Sequence, residues 1–406
     1  MRVLYISYDG MTDNLGQSQV LPYLKKLSEK GVEFNLLSLE KPEHSSNVKK
    51  INQICKAASI HWHPLTYESG VPVISALRNY RKLKNKALAL SQQHTFDATH
   101  CRSDIPGLIG YQLQQQYGIR FLFDMRGFWA DERVEGKLWN LKHPLFKLIY
   151  SYFRKKEKQF FENADAVVSL TEKGKTIIET DDRFGKSTAP ITVIPCCVDL
   201  EKFSPHTVSE EEQNNIRQQH QLTSETFVFG YVGSIGTWYM LDEMLAFYAI
   251  QRKRYTNSAF FFLSGEPAET IHRAARNFGI PAREIVVHRA PHSAVPTFCS
   301  LFDVAVFFIR PTFSKSASSP TKQGELMAMG IPIICNAGVG DTDHIISSTN
   351  AGLVLPNLDE QTMENCLFDP SGFSAEQIRN GAEKWFSLDK GAEKYYQVYQ
   401  SMLQKD

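Results

Sequence analysis

Ser318-Ser319-Pro320-Thr321-Lys322-Gln323-Gly324-Glu325-Leu326-Met327-Ala328-Met329-Gly330-Ile331-Pro332-Ile333-Ile334-Cys335 reads as one helix running into one buried strand, the half-unit from which parallel α/β sheets are made. Ser319 can cap the helix, Pro320 suits its first position, Gly330 ends it and Pro332 opens the apolar run. The unpaired N–H groups and positive dipole end of such a helix favour a phosphate, and Lys322 adds a full charge beside them. Glu325, one turn on, can accept two hydrogen bonds from vicinal hydroxyls such as those of a ribose. A diphosphate next to a sugar diol describes a nucleotide sugar. A capped helix with a solvated Glu and Lys is the plainer alternative, and the helix alone does not separate the two.

Outward from this stretch, apolar runs alternate with amphipathic segments twice over, which predicts two α/β units with parallel sheets. The first set of strands is expected at residues 3–7, 33–38, 96–100, 120–124 and 166–169, with a helix at 19–30. Residues 189–205, punctuated by Pro190, Pro195 and Pro205, read as an interdomain connection. After a polar helix near 210–220 the pattern restarts with strands at 227–232, 260–263, 284–287, 303–308 and 331–335. Residues 375–404 read as helical, broken near 387–391. The expected organisation is a first domain at 1–190, a connection at 191–205 and a second domain at 206–385, with helix 386–406 returning to the first domain.

The 406 residues and 42% hydrophobic content leave material for two cores, and a net charge of +1 gives no global field for nucleic acid. Seven cysteines, an odd number without metal-ligand spacing, suggest buried thiols in a reducing cytoplasm. No apolar run approaches the ~20 residues that span a bilayer, and residues 1–7 are too short and strand-like for a signal peptide. The expected location is cytoplasmic, with contact at the inner face of the plasma membrane allowed.

Two doubly wound domains joined by one connection leave a cleft at the carboxyl ends of both sheets, where ligands bind. Three stretches occur in order: Val193-Ile194-Pro195-Cys196-Cys197-Val198-Asp199-Leu200-Glu201-Lys202-Phe203-Ser204-Pro205, then Gly230-Tyr231-Val232-Gly233-Ser234, then the helix of residues 320–332. On these the chain resembles, along nearly its whole length, the family 4 glycosyltransferases of the GT-B fold, two Rossmann-like doubly wound α/β domains facing each other across a cleft. The first stretch is similar to the family's I-P-N-G-V-D-x-x-x-F-x-P connection, and the second to the strand and loop that open its second domain. The resemblance implies a retaining, metal-independent transferase that binds its nucleotide-sugar donor mainly in the second domain.

Two positions depart from the family pattern. Family members usually carry two glutamates eight apart; the second corresponds to Glu325, and eight residues earlier stands Ala317. The loop Gly233-Ser234-Ile235-Gly236-Thr237-Trp238-Tyr239 lacks the Arg and Lys that commonly neutralise the diphosphate. Lys322 with Arg310 is the expected substitute, serving a UDP- or GDP-sugar; the alternative is a CMP-activated acidic sugar, whose single phosphate needs less cationic charge.

The resemblance implies a donor site of Gly16, Gly233, Ser234, Gly265, Val287, His288, Arg289, Arg310, Ser319, Thr321, Lys322 and Glu325, with the base near 287–289 and no metal ligand. Gly16, in the loop after the first strand, would let backbone N–H groups approach the donor, with Asp13 and Asn14 on the acceptor side. Phe121-Leu122-Phe123-Asp124-Met125-Arg126-Gly127-Phe128-Trp129-Ala130-Asp131-Glu132-Arg133 packs charges at one strand end, a density a solvated loop does not need. Asp124 is expected to take the acceptor's proton or to orient Arg126, and Arg126 to hold a phosphate or an acidic sugar. Trp129, Asp131 and Glu132 are acceptor candidates, an internal Asp–Arg network being the equal alternative, and His100 and Arg102 at another strand end rank below them.

Basic and aromatic residues crowd 137–156, and Arg78, Arg81, Lys82, Lys84 and Lys86 mark a second helical stretch. Such helices can lie on an anionic membrane, although core aromatics with ordinary surface lysines explain them as well. The expected function is glycosyl transfer to a glycan or lipid-linked glycan, as in bacterial capsule or lipopolysaccharide synthesis. A sugar-nucleotide epimerase of the same fold and an inert scaffold are the other readings.

Overall fold

Strands buried on both faces need near-continuous apolar runs, and two sets of them organise the chain. In the computed structural model, which describes residues 1–366 and 368–404, the first set is β1 Arg2–Ser7, β2 Glu33–Glu40, β3 His61–Thr66, β4 Ala98–Arg102, β5 Arg120–Asp124, β6 Ala166–Ser169 and β7 Ile191–Val193. The second is β8 Phe227–Val232, β9 Ser258–Leu263, β10 Ile285–His288, β11 Val304–Phe307, β12 Ile333–Asn336 and β13 Gly352–Leu355. The sheet orders are β3-β2-β1-β4-β5-β6-β7 and β10-β9-β8-β11-β12-β13. All pairs are parallel, and the strand order of each sheet reverses once, between β1 and β4 and between β8 and β11. These are two Rossmann-like units, and ligands in such sheets sit beyond the carboxyl ends at that reversal.

One unit comprises residues 1–195 together with the chain from Leu388; the other comprises Cys196–Ser387. Residues 405 and 406 of the expected C-terminal helix, and residue 367 of the expected second domain, lie outside the described residues. The helix itself, Leu388–Leu403, buries Tyr395, Val398, Tyr399 and Met402 in the first unit. Its outer side pairs Asp389 with Lys26 at 2.8 Å and Glu393 with Lys30 at 2.7 Å.

Several local readings shift. Residues 191–193, read as connection, form the edge strand β7, and the polar, Pro64-bearing β3 and the short β13 add strands that the apolar pattern did not mark. The expected 19–30 helix is two, Asn14–Gln19 and Leu21–Glu29, because Val20 between them leaves helical geometry and Pro22 opens the second. The helix of the opening stretch runs Thr321–Ala328, with Pro320 at the N-cap and no side-chain cap. Ser319 does not cap it: its Oγ accepts the Cys196 N–H at 3.1 Å, holding the incoming chain. Its end is as read, with Gly330 at φ 73° and the Gly330 and Ile331 N–H groups returning to the Met327 and Leu326 carbonyls.

Asp199 and Phe203 of the connection have local work. Asp199 Oδ1 accepts the Glu201 and Lys202 N–H groups at 3.0 and 3.1 Å, forming an Asx-type turn. Arg379 then ties that turn to the Thr321–Ala328 helix, donating to the Leu200, Phe203 and Ala328 carbonyls.

The first unit also buries a charge cluster. Asp131, Asp104 and Glu157 gather around Arg154, which pairs with Glu157 and, at 3.3 Å, with Asp131 Oδ2; Tyr150 donates to Asp131 Oδ1 at 2.7 Å. Asp131 is thereby committed to an internal network rather than to an outside hydroxyl. Burial pushes the Asp104 carboxyl up to about 7, and burial with the Asp104 charge raises Glu157. A carboxyl raised from 3.8 on folding favours the folded state below its unfolded value and loses that advantage as pH rises to about 7. Asp104→Asn should therefore raise Tm at pH ~8 by about 3 °C or more, with a smaller gain at pH ~5. Thermal unfolding at both pH values checks this, and an equal or opposite gain would remove the raised carboxyl from the stability balance.

Candidate functional site

In the second unit the elements meet at the carboxyl ends of β8 and β11. β8 runs into Gly233, whose φ of 111° turns the chain out of the sheet while its N–H donates to Leu263 O at 2.9 Å. The loop is tied down by Tyr231, which donates to Ser234 O at 2.7 Å, and by Trp238, whose carbonyl accepts the Arg310 N–H at 3.0 Å.

Lys322, in the first turn of the Thr321–Ala328 helix, comes up beneath this loop. A Cβ placed on Gly233 would lie 3.3 Å from its Nζ. The ammonium sits 3.6 Å from the Tyr239 ring centroid and 3.9 Å from that of Tyr231, and Nζ makes no hydrogen bond among the described residues. Aromatic faces attract a cation but accept none of its protons as an oxygen would. Burial accordingly pushes the Lys322 pKa well below the ordinary lysine value, with the Glu325 charge opposing it. A second buried lysine, Lys315, lies 3.9 Å over the Trp238 ring of the same loop.

Glu325, one helical turn beyond Lys322, is also buried, and its Oε1 accepts from His292 Nε2 at 2.9 Å. His292 Nδ1 faces Lys202 Nζ at 2.7 Å. An ammonium can only donate, so Nδ1 accepts and the imidazole proton resides on Nε2, pointing at the carboxylate. Ala317 is fully buried and has no polar side-chain atom to offer.

The other expected donor residues are less enclosed. Ser234, Gly265, Arg289 and Arg310 are exposed, Thr321 and Val287 half-buried, and His288 stacks on Phe298 at 4.4 Å. The structure thus brings Gly233, Lys322 and Glu325 into one neighbourhood.

In the first unit, β4 and β5 deliver His100, Arg102 and Asp124 side by side, with Arg126 following. Asp124 is buried, 3.2 Å from His100 Nε2 and 3.4 Å from Arg126 Nη1. Burial alone would raise the Asp124 carboxyl; Arg126, the His100 hydrogen bond and Arg102 outweigh it and hold it well below the usual carboxylate range. Burial pushes His100 the opposite way from its Asp124 bond and wins, lowering its pKa. A neutral imidazole then donates from Nε2 to Asp124 and accepts the Tyr399 hydroxyl at Nδ1, 2.6 Å away. Tyr5 packs on the ring at 4.3 Å and Tyr395 at 5.3 Å. Ser103, next after Arg102, holds φ 71° and ψ −177°, a conformation glycine adopts freely and serine only under strain.

Of the remaining first-unit candidates, Gly16, Asp13 and Trp129 are held internally. Gly16 is buried against its own chain, where a Cβ would lie 2.2 Å from Gly10 O, so the glycine serves loop packing rather than approach to a ligand. Glu40 builds this loop, accepting the Met11 and Thr12 N–H groups. Asp13 pairs with Lys41 at 2.7 Å and His44 at 2.5 Å, Asn14 is exposed, and Trp129 packs with Phe153 and Trp139 at 4.7 and 5.3 Å. Glu132 is half-buried.

His292, Lys202, Lys315 and Tyr239 were not legible as site residues. Lys315 stands out in retrospect as the one charge in the small, polar run 314–319, whereas His292 lies in a loop with no spacing signal. Among the described residues no group of three or more His, Cys, Asp or Glu is arranged to hold a metal ion.

Comparison with known proteins follows the same two-part division. Residues 18–202 match the model of Glycosyltransferase Family 4, and residues 212–367 that of Glycosyl transferases group 1. No curated protein matches the chain. Among solved structures, sucrose-phosphate synthase from Thermosynechococcus elongatus is 17% identical with a TM-score of 0.74, covering 98% of each chain. Anabaena HepE, in complex with UDP and glucose, is 12% identical with a TM-score of 0.69, covering 98% of this chain and 99% of its own. WaaG, a glycosyltransferase involved in lipopolysaccharide biosynthesis, is 14% identical with a TM-score of 0.67 and the same coverage. At these identities the likeness is one of fold, and the family models carry the assignment. With a Glycosyltransferase Family 4 domain in its first half and a Glycosyl transferases group 1 domain in its second, the chain belongs to the glycosyltransferases of GT-B architecture.

Proposed function

We propose that this glycosyltransferase moves a sugar from a nucleoside-diphosphate donor, held in the second unit, to a hydroxyl of a glycan or lipid-linked glycan, with retention at the anomeric carbon. The observation that carries the reading is the buried Lys322 ammonium, without a hydrogen bond, beside the Gly233 turn and one helical turn from Glu325. An anion at Lys322 supplies the partner that two tyrosine rings do not, and Glu325 follows at the place of a ribose diol. Lys315, over the Trp238 ring of that loop, is a second cation, which favours a diphosphate donor such as a UDP- or GDP-sugar over a CMP-sugar. HepE, a neighbour of the same fold, binds UDP and glucose.

In this reading the bond from the anomeric carbon to the phosphate oxygen breaks, and the acceptor oxygen bonds to that carbon on the same face. The acceptor's proton passes to the departing phosphate, so the protein's part is positioning and charge stabilisation. Asp124, held ionised between His100 and Arg126, makes a poor base and a good anchor; its role is to orient the Arg126 guanidinium. No resident metal ion or cofactor is invoked.

The acceptor side is assigned to the first unit and to the cytoplasmic face of a membrane, in the assembly of a bacterial surface polysaccharide. Helices Pro72–Gln93 and Pro144–Asn163 expose Ile74 and Leu77, and Leu145 and Leu148, with Leu148 69% exposed. Arg78, Arg81, Lys142 and Lys147 are exposed around them, the charge that complements an anionic bilayer. Among the described residues no helix is long and apolar enough to cross a membrane.

Two measurements test this. Burial lowers the Lys322 pKa in the free protein and a bound phosphate raises it again, so binding takes up protons and nucleoside diphosphate affinity should fall as pH rises above ~7.5, where the phosphate is already fully ionised. Lys322→Met should bind at least about tenfold more weakly and lose that slope; an unchanged slope in titration calorimetry would take Lys322 out of the phosphate site. Vesicles containing phosphatidylglycerol should sediment the protein at low salt, and Leu148→Glu with Ile74→Glu should abolish this; no sedimentation of the wild type would end the membrane assignment.

A further inference from the structure

The strongest unexplained contact in the second unit is the file of Lys202, His292 and Glu325. Three side chains from three separate segments meet in line: Lys202 from the Asx turn, His292 from the loop after β10, and Glu325 from the Thr321–Ala328 helix. One side chain fixes both ends. Arg379 clamps the carbonyls of Leu200 and Phe203 on either side of Lys202 and that of Ala328 at the helix end. The Phe203 ring lies 5.6 Å from the imidazole, so His292 is packed as well as bonded.

Geometry makes the file directional. Lys202 can only donate, so His292 must accept at Nδ1 and donate at Nε2, and a second proton on the ring would place N–H against an ammonium 2.7 Å away. The Nε2–H therefore occupies Glu325 Oε1, while Oε2 makes no hydrogen bond among the described residues. A carboxylate with one oxygen held cannot rotate freely, and the other oxygen faces a defined direction.

We infer that Lys202 and His292 are positioning residues that fix the tautomer and the carboxylate rotamer through which Glu325 grips the donor's ribose hydroxyls. This deepens, and rests on, the assignment of Glu325 to the ribose. The effect is specific: it concerns the diol and not the phosphate, which Lys322 serves.

Calorimetric binding of UDP, GDP and ADP, each against its 2′-deoxy counterpart, tests the inference on the full-length protein. The wild type should prefer the ribo form of the bound nucleotide by about tenfold, and Glu325→Ala should lose the preference. His292→Ala and Lys202→Met should each weaken the ribo form by about five- to tenfold and leave the deoxy form nearly unchanged, while His292→Gln, whose amide can accept from Lys202 and donate to Glu325, should restore most of the loss. If Glu325→Ala loses the ribose preference but His292→Ala keeps it, or weakens both forms equally, the positioning role is wrong and the ribose assignment survives. A Glu325→Ala protein that still prefers the ribo form, or a wild type that binds none of the three, overturns the ribose reading and the inference with it.

Discussion

A charge taken out of water must be met by another charge or by hydrogen bonds, and the two units meet that demand in opposite ways. In the first unit Asp124 is matched on both oxygens, by His100 and Arg126. In the second unit Lys322 is buried over Tyr231 and Tyr239 with no hydrogen bond to its ammonium. An ammonium in that position is costly for the free protein and becomes useful when an anion arrives. The Gly233 turn, the tyrosine rings and the helix end that carries Lys322 all converge on that one group.

The sheets explain why these groups lie where they do. In each unit the strand order reverses once, and the chains leaving the two strands at the reversal diverge. β8 and β11 open there onto the Gly233 loop and the segment leading to Lys315 and Lys322; β4 carries His100 and Arg102 to its own carboxyl end, where Ser103 follows. The C-terminal helix adds Tyr395 and Tyr399 to the packing around His100, so that site depends on residues nearly three hundred positions away in sequence, His100 and Tyr399 being separated by 299.

The doubled parallel fold was legible because buried parallel strands leave runs such as Phe260-Phe261-Phe262-Leu263 that little else produces. The edge strands β3 and β7 were not, since His61-Trp62-His63-Pro64 is polar and proline-bearing and Ile191–Val193 is three residues long. At the site, a helix start with Lys322 and Glu325 at helical spacing could be read directly. Their partners could not: nothing local in Pro291-His292-Ser293 announces a glutamate 33 residues later, and only the packed chain brings Lys202, 90 residues earlier, to the other ring nitrogen. Glycine was the residue most open to misreading. Gly16 resembled a phosphate-facing glycine but is required by the Gly10 carbonyl of its own loop, because close backbone approach leaves the same residue whether the neighbour is a ligand or the protein.

Thermal unfolding with UDP, GDP, ADP, dTDP and CMP and their common sugar conjugates tests whether an anion meets Lys322. A ligand at a hundred times its Kd adds about 2.7 kcal/mol to stability, which is readily seen as a raised Tm. One nucleoside diphosphate and its sugar conjugate should raise Tm, and CMP should not. A shift with CMP alone would contradict the diphosphate donor, and no shift with any of them would leave a glycosyltransferase fold without donor binding.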